Sequence, residues 1–405
     1  MFMEIENAYI TLPQGFIANG VHAGLKPNGN PDLALIASDR PAHVAGVYTS
    51  NLVKGHSLTR SISIIKSRDT VRGIIINSGN ANACVGEKGE SDASVMAESV
   101  AKELLTDPEE ILTASTGVIG SRLPLEKITA SIPGLVKNAS SSEECGHLAE
   151  RAIMTTDTQP KEVAATVSIF GKEITIAAIA KGSGMIHPNL ATMISVFTTD
   201  ANISQDVLQS MISDNVKDTY NRVSVDGDTS VCDMVVILAN GASGTPEITK
   251  DSEEYNVFKE AFHALCFDLA RMIASDGEGA SKLVEVEVLG AKTANDAYLC
   301  VLAICRSPLC KTAIFGQDAN CGRFITALGY SGADIDPDKI NMSLCGLPVY
   351  QNGVALPFDE DIAKEKLSQH DILITIELND GEYNDRMWTC DFTYDYVKIN
   401  ASYRS

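Results

Sequence analysis

The sequence predicts a mixed α/β fold with a smaller strand-rich C-terminal domain, and three observations lead there. Apolar residues recur at helical spacing in some segments and at strand spacing in others along most of the 405 residues. Hydrophobic residues make up 44% of the chain and charged residues 21%, the balance of a chain that buries a core. Towards the C-terminus, Asn352-Gly353 and Asp380-Gly381 mark tight turns between alternating apolar runs.

Taken in order, residues 71–76 read as a strand. Residues 92–105 read as a helix that aligns Ala93, Met96, Ala97, Val100 and Leu104, with Ser91 and Asp92 as cap candidates. Residues 164–169 and 173–180 read as strands joined by a hairpin at Gly171-Lys172. Residues 205–220 carry the stripe Leu208, Met211, Ile212, Val216, and residues 231–239 return to strand spacing. The longest helix, about 253–274, lines up Phe258, Ala261, Phe262, Leu265, Leu269, Met272 and Ile273. A strand follows at 283–289, after a boundary near 280 where residues 275–281 interrupt the pattern. These stripes are core positions, and the chain contains no internal repeat.

Composition narrows the function. The 53 acidic residues outnumber the 32 basic ones, giving a net charge of −21. Such a chain has no general field to attract phosphate backbones or anionic membranes, which argues against nucleic-acid and membrane partners. The start, Met1-Phe2-Met3-Glu4, lacks the basic residues of a signal peptide, and no apolar run approaches the roughly 20 residues of a membrane span. The expected location is cytoplasmic. Ten cysteines are too sparse for a disulfide scaffold. Cys300, Cys305 and Cys310 recur every five residues, a spacing of neither zinc ribbons nor redox pairs, and the seven histidines form no ligand cluster. No cofactor and no metal are expected.

Five polar, glycine-bearing segments adjoin apolar runs: 77–84, 115–120, 181–185, 225–230 and 315–320. None has the spacing of a phosphate-binding P-loop, a dinucleotide fingerprint or a hydrolase nucleophile elbow. Asp226-Gly227-Asp228 lacks the rest of a calcium loop.

The segment from Lys181 to Met193 is chemically suggestive. Two glycines and Pro188 force an irregular turn, and small residues around Thr192 let a backbone carbonyl approach its hydroxyl. Attack of that hydroxyl on the Ala191 carbonyl would give an ester, whose hydrolysis leaves Thr192 as a new N-terminus. An N-terminal threonine carries its own base, since an α-amine titrates near pH ~8. On the residues alone, Thr192 simply beginning a strand is the plainer reading.

The ordered blocks 77–84, Thr116-Gly117, 154–158, 181–193, 224–230, 275–280, 315–331 and Asn400 resemble the ornithine acetyltransferase (ArgJ-type) family over essentially the whole chain. The resemblance implies a self-processing, ArgJ/DmpA-like layered α/β sandwich. It implies cleavage between Ala191 and Thr192 into an α chain, 1–191, and a β chain, 192–405, with about 281–405 as the smaller C-terminal domain. It further implies ping-pong acetyl transfer from N-acetylornithine to glutamate, possible use of acetyl-CoA as donor, and an α2β2 assembly. Thr192 is then the nucleophile, Thr116 and Gly117 the oxyanion hole, and Thr155, Lys181, Thr192, Glu278, Asn400 and Ser405 contact substrate. Lys181 suits a carboxylate and Glu278 an ammonium group. Cys321 and Leu190 depart from the family's common tryptophan and methionine, and relatives often end in threonine rather than Ser405. His187 has no matching role and is read as structural. Two alternatives stay open: a self-processing amidohydrolase or aminopeptidase, and an unprocessed protein that binds a small metabolite.

Overall fold

The computed structural model describes residues 2–187 and 193–402. The chain forms two units, Met1–Gly182 with Asn189–Asn221 and Thr229–Leu269, and Ser183–Pro188 with Arg222–Asp228 and Ala270–Ser405.

In the first unit, nine strands among the described residues make one sheet. They are β1 (Phe2–Glu4), β2 (Phe16–Val21), β3 (Leu33–Tyr48), β4 (Thr70–Asn80), β5 (Ile111–Val118), β6 (Lys161–Ile169), β7 (Lys172–Lys181), β8 (Ile194–Thr199) and β9 (Met234–Ala239). The order is β1-β6-β7-β8-β9-β3-β4-β5, with β2 also paired to β3. The 16-residue β3 serves two regions of the sheet. Its first half pairs with β2 and β4, and its second half, from His43 to Tyr48, pairs with β9. The register with β4 shifts between Ala37 and Ala42, where Pro41, which has no N–H to give, is tolerated on an exposed stretch.

Helices α1 (His56–Ser67), α2 (Lys88–Leu104), α3 (Leu125–Lys137), α4 (Glu143–Ile153), α5 (Gln205–Asp218) and α6 (Glu253–Ser275) complete this unit, α6 running on into the second one. Strand side chains alternate between faces, and both faces are covered. Ala34, Ile36, Ile74 and Ile76 pack with Leu58 of α1 and Ala149 and Ala152 of α4. Leu33, Leu35, Ala37 and Ile75 pack with Met96 and Val100 of α2 and Ile128 and Ile132 of α3. Phe197 of β8 meets Phe262 of α6 with ring centres 4.7 Å apart.

The second unit holds a six-stranded sheet in the order β13-β12-β11-β14-β10-β15. Its strands are β10 (Leu283–Ala291), β11 (Asn341–Leu344), β12 (Leu347–Gln351), β13 (Val354–Ala355), β14 (Asp371–Glu377) and β15 (Tyr383–Cys390). Helices α7 (Ala294–Arg306), α8 (Pro308–Phe315), α9 (Cys321–Gly329), α10 (Glu360–Leu367) and α11 (Tyr394–Ala401) accompany it. Val286, Val288, Ile374 and Ile376 of the sheet share a core with Val301, Ile314 and Phe324 of the helices.

Several expectations shift. The helix placed at 92–105 begins at Lys88, so Ser91 and Asp92 are interior residues rather than caps. Asp92 instead accepts hydrogen bonds from Nε and Nη2 of Arg122, each at 2.9 Å. The hairpin after β6 turns on Phe170-Gly171, both at positive φ, because Ile169 pairs with Lys172. The strand placed at 231–239 starts only at Met234, since Val231 and Cys232 pack against Ala81 and Ala83. Asn352-Gly353 does close a hairpin between Gln351 and Val354. Asp380-Gly381 does not: β14 and β15 lie on opposite sides of β10, parallel and antiparallel to it. The C-terminal region also carries α10 and α11, so it is not purely strands. No single helix among the described residues is long and apolar enough to cross a membrane.

Candidate active site

β4 and β5 run parallel and end side by side, which brings the asparagine-rich segment against Thr116-Gly117. Gly117 sits at φ +130°, and a Cβ there would lie 2.4 Å from the Gly79 carbonyl carbon and 2.6 Å from the Asn80 nitrogen. Only glycine allows two backbones this close. The asparagines are the frame that holds them. Asn77 accepts from Ser115 Oγ at 2.6 Å, Asn80 Nδ2 donates to Ser121 O at 2.9 Å, and Asn82 Nδ2 donates to Gly89 O at 2.9 Å. Thr116 is buried, and its hydroxyl makes no hydrogen bond with a described residue. A buried hydroxyl with no bond to a described residue is a donor available to a ligand oxyanion. Thr116→Val, which keeps the shape and removes that donor, is expected to lower the kcat of the acetyl transfer that the resemblance implies by ~10²–10³. Steady-state kinetics at saturating substrate would check it.

Thr192, with Ala191 and Ser405, lies outside the described residues. The flanking positions are fixed. Lys181, the last residue of β7, pairs with Ile194 at the start of β8. The Met193 N–H donates to Asp233 Oδ1 at 3.0 Å, and the Met193 carbonyl accepts from Met234 at 2.9 Å. Asp233 is fully buried, its Oδ2 without a hydrogen-bond partner among the described residues. Burial pushes its carboxyl well above the usual range, against the opposing pull of the Met193 N–H and Lys181. Next to it, Cys232 donates to Ala81 O at 3.4 Å, and Ala81 N donates to Val118 O at 3.0 Å. Burial pushes the Cys232 thiol up, so it stays protonated. The Thr116-Gly117 loop, Met193 and Lys181 thus belong to one neighbourhood of the first unit.

Lys181 is only 2% exposed, yet its ammonium makes no hydrogen bond or ion pair with a described residue. Its charge is felt by Asp157 and Asp233 without direct contact, and a buried ammonium with unused donors can receive an anion. Thr155 is tied to the same neighbourhood through Asp157, whose Oδ2 accepts from Thr155 N at 2.9 Å and whose Oδ1 accepts from Gly182 N at 2.6 Å.

In the second unit, Glu278 and Asn400 meet: Asn400 Nδ2 donates to Glu278 Oε2 at 2.7 Å. A Cβ on Gly184 would lie 2.2 Å from the Glu278 carboxyl carbon, so the carboxylate rests directly on that backbone. Glu278 N donates to Ser183 O at 2.9 Å, and Ser183 Oγ to Asp276 O at 2.7 Å, fixing the loop on which the carboxylate stands. Asp226 accepts from Met185 N and Ile186 N at 2.6 and 3.0 Å, organising the turn rather than holding a cation. His187 bonds Ser224 Oγ at 3.0 Å. Burial, aided by Arg306, pushes it down to about 4, so it is a neutral structural imidazole near pH 7. No group of three or more His, Cys, Asp or Glu among the described residues could hold a metal ion.

Asp157 and Asp233 were not singled out by sequence reasoning. Asp157 stood inside the block 154–158, but its role depends on Gly182, 25 residues away. Asp233 sat in an apolar run that read simply as strand.

The sequence profile of the ArgJ family matches residues 17–405. The chain belongs to the ArgJ family. The arginine biosynthesis bifunctional protein ArgJ 1 of Clostridium acetobutylicum is 46% identical over 99% of this chain and 98% of its own length. The arginine biosynthesis bifunctional protein ArgJ of Caldanaerobacter subterraneus is 47% identical, with all of both chains covered. A solved chain of ornithine acetyltransferase from Mycobacterium tuberculosis, complexed with ornithine, is 37% identical. That match covers 46% of this chain and 98% of the solved one, with a TM-score of 0.44. Within the ArgJ family blocks, Thr116-Gly117, Thr155 and Lys181 fall in the first unit, and Glu278 with Asn400 in the second.

Proposed function

We propose that this ArgJ-family chain is an acetyltransferase of arginine biosynthesis that moves the acetyl group of N-acetylornithine to glutamate, with acetyl-CoA as a second donor. Full-length similarity to bifunctional ArgJ proteins supports the reaction. The structural observation that carries the substrate class is Lys181, a buried ammonium that makes no hydrogen bond or ion pair with a described residue and so suits an amino-acid carboxylate. Glu278, held by Asn400, suits the ammonium end of the substrate.

In the proposed reaction the chain first cuts itself. The Thr192 hydroxyl attacks the Ala191 carbonyl, the Ala191–Thr192 amide becomes an ester, and water releases residues 1–191 from residues 192–405. The freed α-amine then takes the proton as the Thr192 oxygen attacks the acetyl carbonyl of N-acetylornithine. The Thr116 hydroxyl and the Gly117 N–H receive the oxyanion. The C–N bond breaks, ornithine leaves with the proton, and the acetyl group remains as an ester on Thr192. Glutamate's amine attacks that ester through a second tetrahedral intermediate, giving N-acetylglutamate. Two α and two β chains are the proposed assembly, in the cytoplasm.

The test is an acetyl-transfer assay with N-acetylornithine and with acetyl-CoA as alternative donors, glutamate as acceptor, beside a denaturing mass measurement. N-acetylglutamate is expected from both donors, and two chains are expected in place of one of 43.2 kDa. Acetate released without transfer to glutamate would mean a hydrolase. An intact chain with no turnover would leave only a binding protein.

A further inference from the structure

Where α4 meets β6 and β7, four ionisable side chains lie out of water. Glu150 is 0% exposed, the side chains of Lys161 and Asp157 are 1% and 0% exposed, and Lys181 is 2% exposed. Asp157 is the hub. Its Oδ2 accepts from Thr155 N at 2.9 Å and Thr155 Oγ1 at 3.4 Å. Its Oδ1 accepts from Gly182 N at 2.6 Å and Lys161 Nζ at 2.9 Å. Behind it, Lys161 N donates to Glu150 Oε1 at 3.0 Å, while Glu150 Oε2 is buried without a hydrogen-bond partner among the described residues.

We propose that Asp157 and Glu150 are positioning residues for carboxylate capture at Lys181: Asp157 ties Thr155 to the Lys181–Gly182 peptide while Lys161 neutralises it, and Glu150 sets the charge of the cluster from behind. This deepens the reading of Lys181 as the carboxylate seat and rests on it.

Charge counting gives the mechanism. Burial alone would raise the Asp157 carboxyl, but Lys161 and Lys181 overcome it and hold it well below the carboxylate range. Burial pushes Glu150 up to about 8, so at pH 7 it is an uncharged acid. Asp157 and Lys161 then cancel, Lys26 is offset by Asp32, and a surplus positive charge remains on Lys181. As pH rises through about 8, Glu150 ionises and that surplus is lost. The groups facing Glu150 are Asp157, Lys161 and Glu162, and Glu162 is raised by burial against His147 and Arg151. Lys26 also faces Glu150; burial, aided by Lys181 and opposed by Asp32, Asp157 and Glu150, pushes it down to about 8, so it loses its proton over the same range. A Glu150→Gln exchange isolates the contribution of Glu150 from that of Lys26.

Ornithine affinity, read by titration calorimetry at pH 7 and pH 9, tests this with wild type, Glu150→Gln and Asp157→Asn. Ornithine's own amine titrates alike in every arm. Wild type is expected to lose about tenfold more affinity between the two pH values than Glu150→Gln does, the order expected for one unit charge several ångström away. Equal losses, or no ornithine binding at all, would overturn the role of Glu150. Asp157→Asn turns one accepting oxygen into a donor that faces a donor. It is expected to bind ornithine about tenfold more weakly at pH 7, although the cluster gains positive charge. Tighter binding would overturn the positioning role, and if this variant does not fold, Glu150→Gln still decides. Acetyl transfer by wild type, assayed in parallel, separates failure of this inference from failure of the transferase reading.

Discussion

Thr192→Ala is expected to leave a single 43.2 kDa chain on a denaturing gel and to abolish acetyl transfer. In the proposed mechanism one hydroxyl serves both steps, because self-cleavage and acyl transfer would be the same chemistry applied to two carbonyls, that of Ala191 and that of the acetyl group. Without cleavage the α-amine is never freed, so nucleophile and base are lost together. In enzymes whose nucleophile and base act as a unit, losing either removes most of the acceleration, up to ~10⁶ in kcat. His187→Ala is the contrast. Its imidazole is held neutral and occupied with Ser224, and cleavage should proceed without it. Cleavage in Thr192→Ala at the same bond would show that another residue is the nucleophile.

Lys181→Met is expected to cost affinity rather than stability. The substitution removes the ammonium and keeps most of the apolar stem, so β7 should still pair with β8 at Ile194. Losing one partner of a desolvated charge pair costs about 2–5 kcal/mol of binding, between about 30-fold and a few thousand-fold in the KM for N-acetylornithine. The melting temperature should change little, because the ammonium removed makes no hydrogen bond or ion pair with a described residue and Lys161 still pairs with Asp157. Kinetics and thermal melts on the same preparation separate the outcomes. Unchanged KM with lowered melting temperature would mean that Lys181 is structural.

Much of the fold was legible because its signals are local. The 3.6-residue stripes at 205–220 and 253–274 correspond to α5 and α6, since each buries one face on a neighbouring sheet and repeats its apolar spacing to do so. The alternation around residues 164–180 correctly placed β6 and β7 as a hairpin. What was not legible depended on pairings between distant segments. Nothing near Asp380-Gly381 reports that β10, some ninety residues earlier, slots between β14 and β15. The early start of α2 at Lys88 was hidden because Asp92 looks like a cap, when its carboxylate is committed to Arg122, 30 residues on. The site divides the same way. Thr116-Gly117 and Lys181 stood in recognisable blocks, whereas Asp157, Glu150 and Asp233 act through partners far away in sequence. A buried carboxylate in a loop or strand gives no periodic signal, and only the folded chain reveals what it holds.

The strand order of the first unit has a consequence for how such a molecule comes apart. Once cut before Thr192, β8 and β9 would belong to one polypeptide, while β1, β6 and β7 on one side and β3, β4 and β5 on the other would belong to its partner. One subunit would be wedged into the middle of the other's sheet, joined by the β7–β8 and β3–β9 ladders. The subunit interface then runs through the first unit's sheet, and the core that Ile36 and Ile74 share with Ile194 and Val236 is finished by neither half alone. Folding would be unimolecular only before the cut. Afterwards, reassembly from denaturant would be a second-order process, and the mature enzyme would owe its lifetime to slow unfolding.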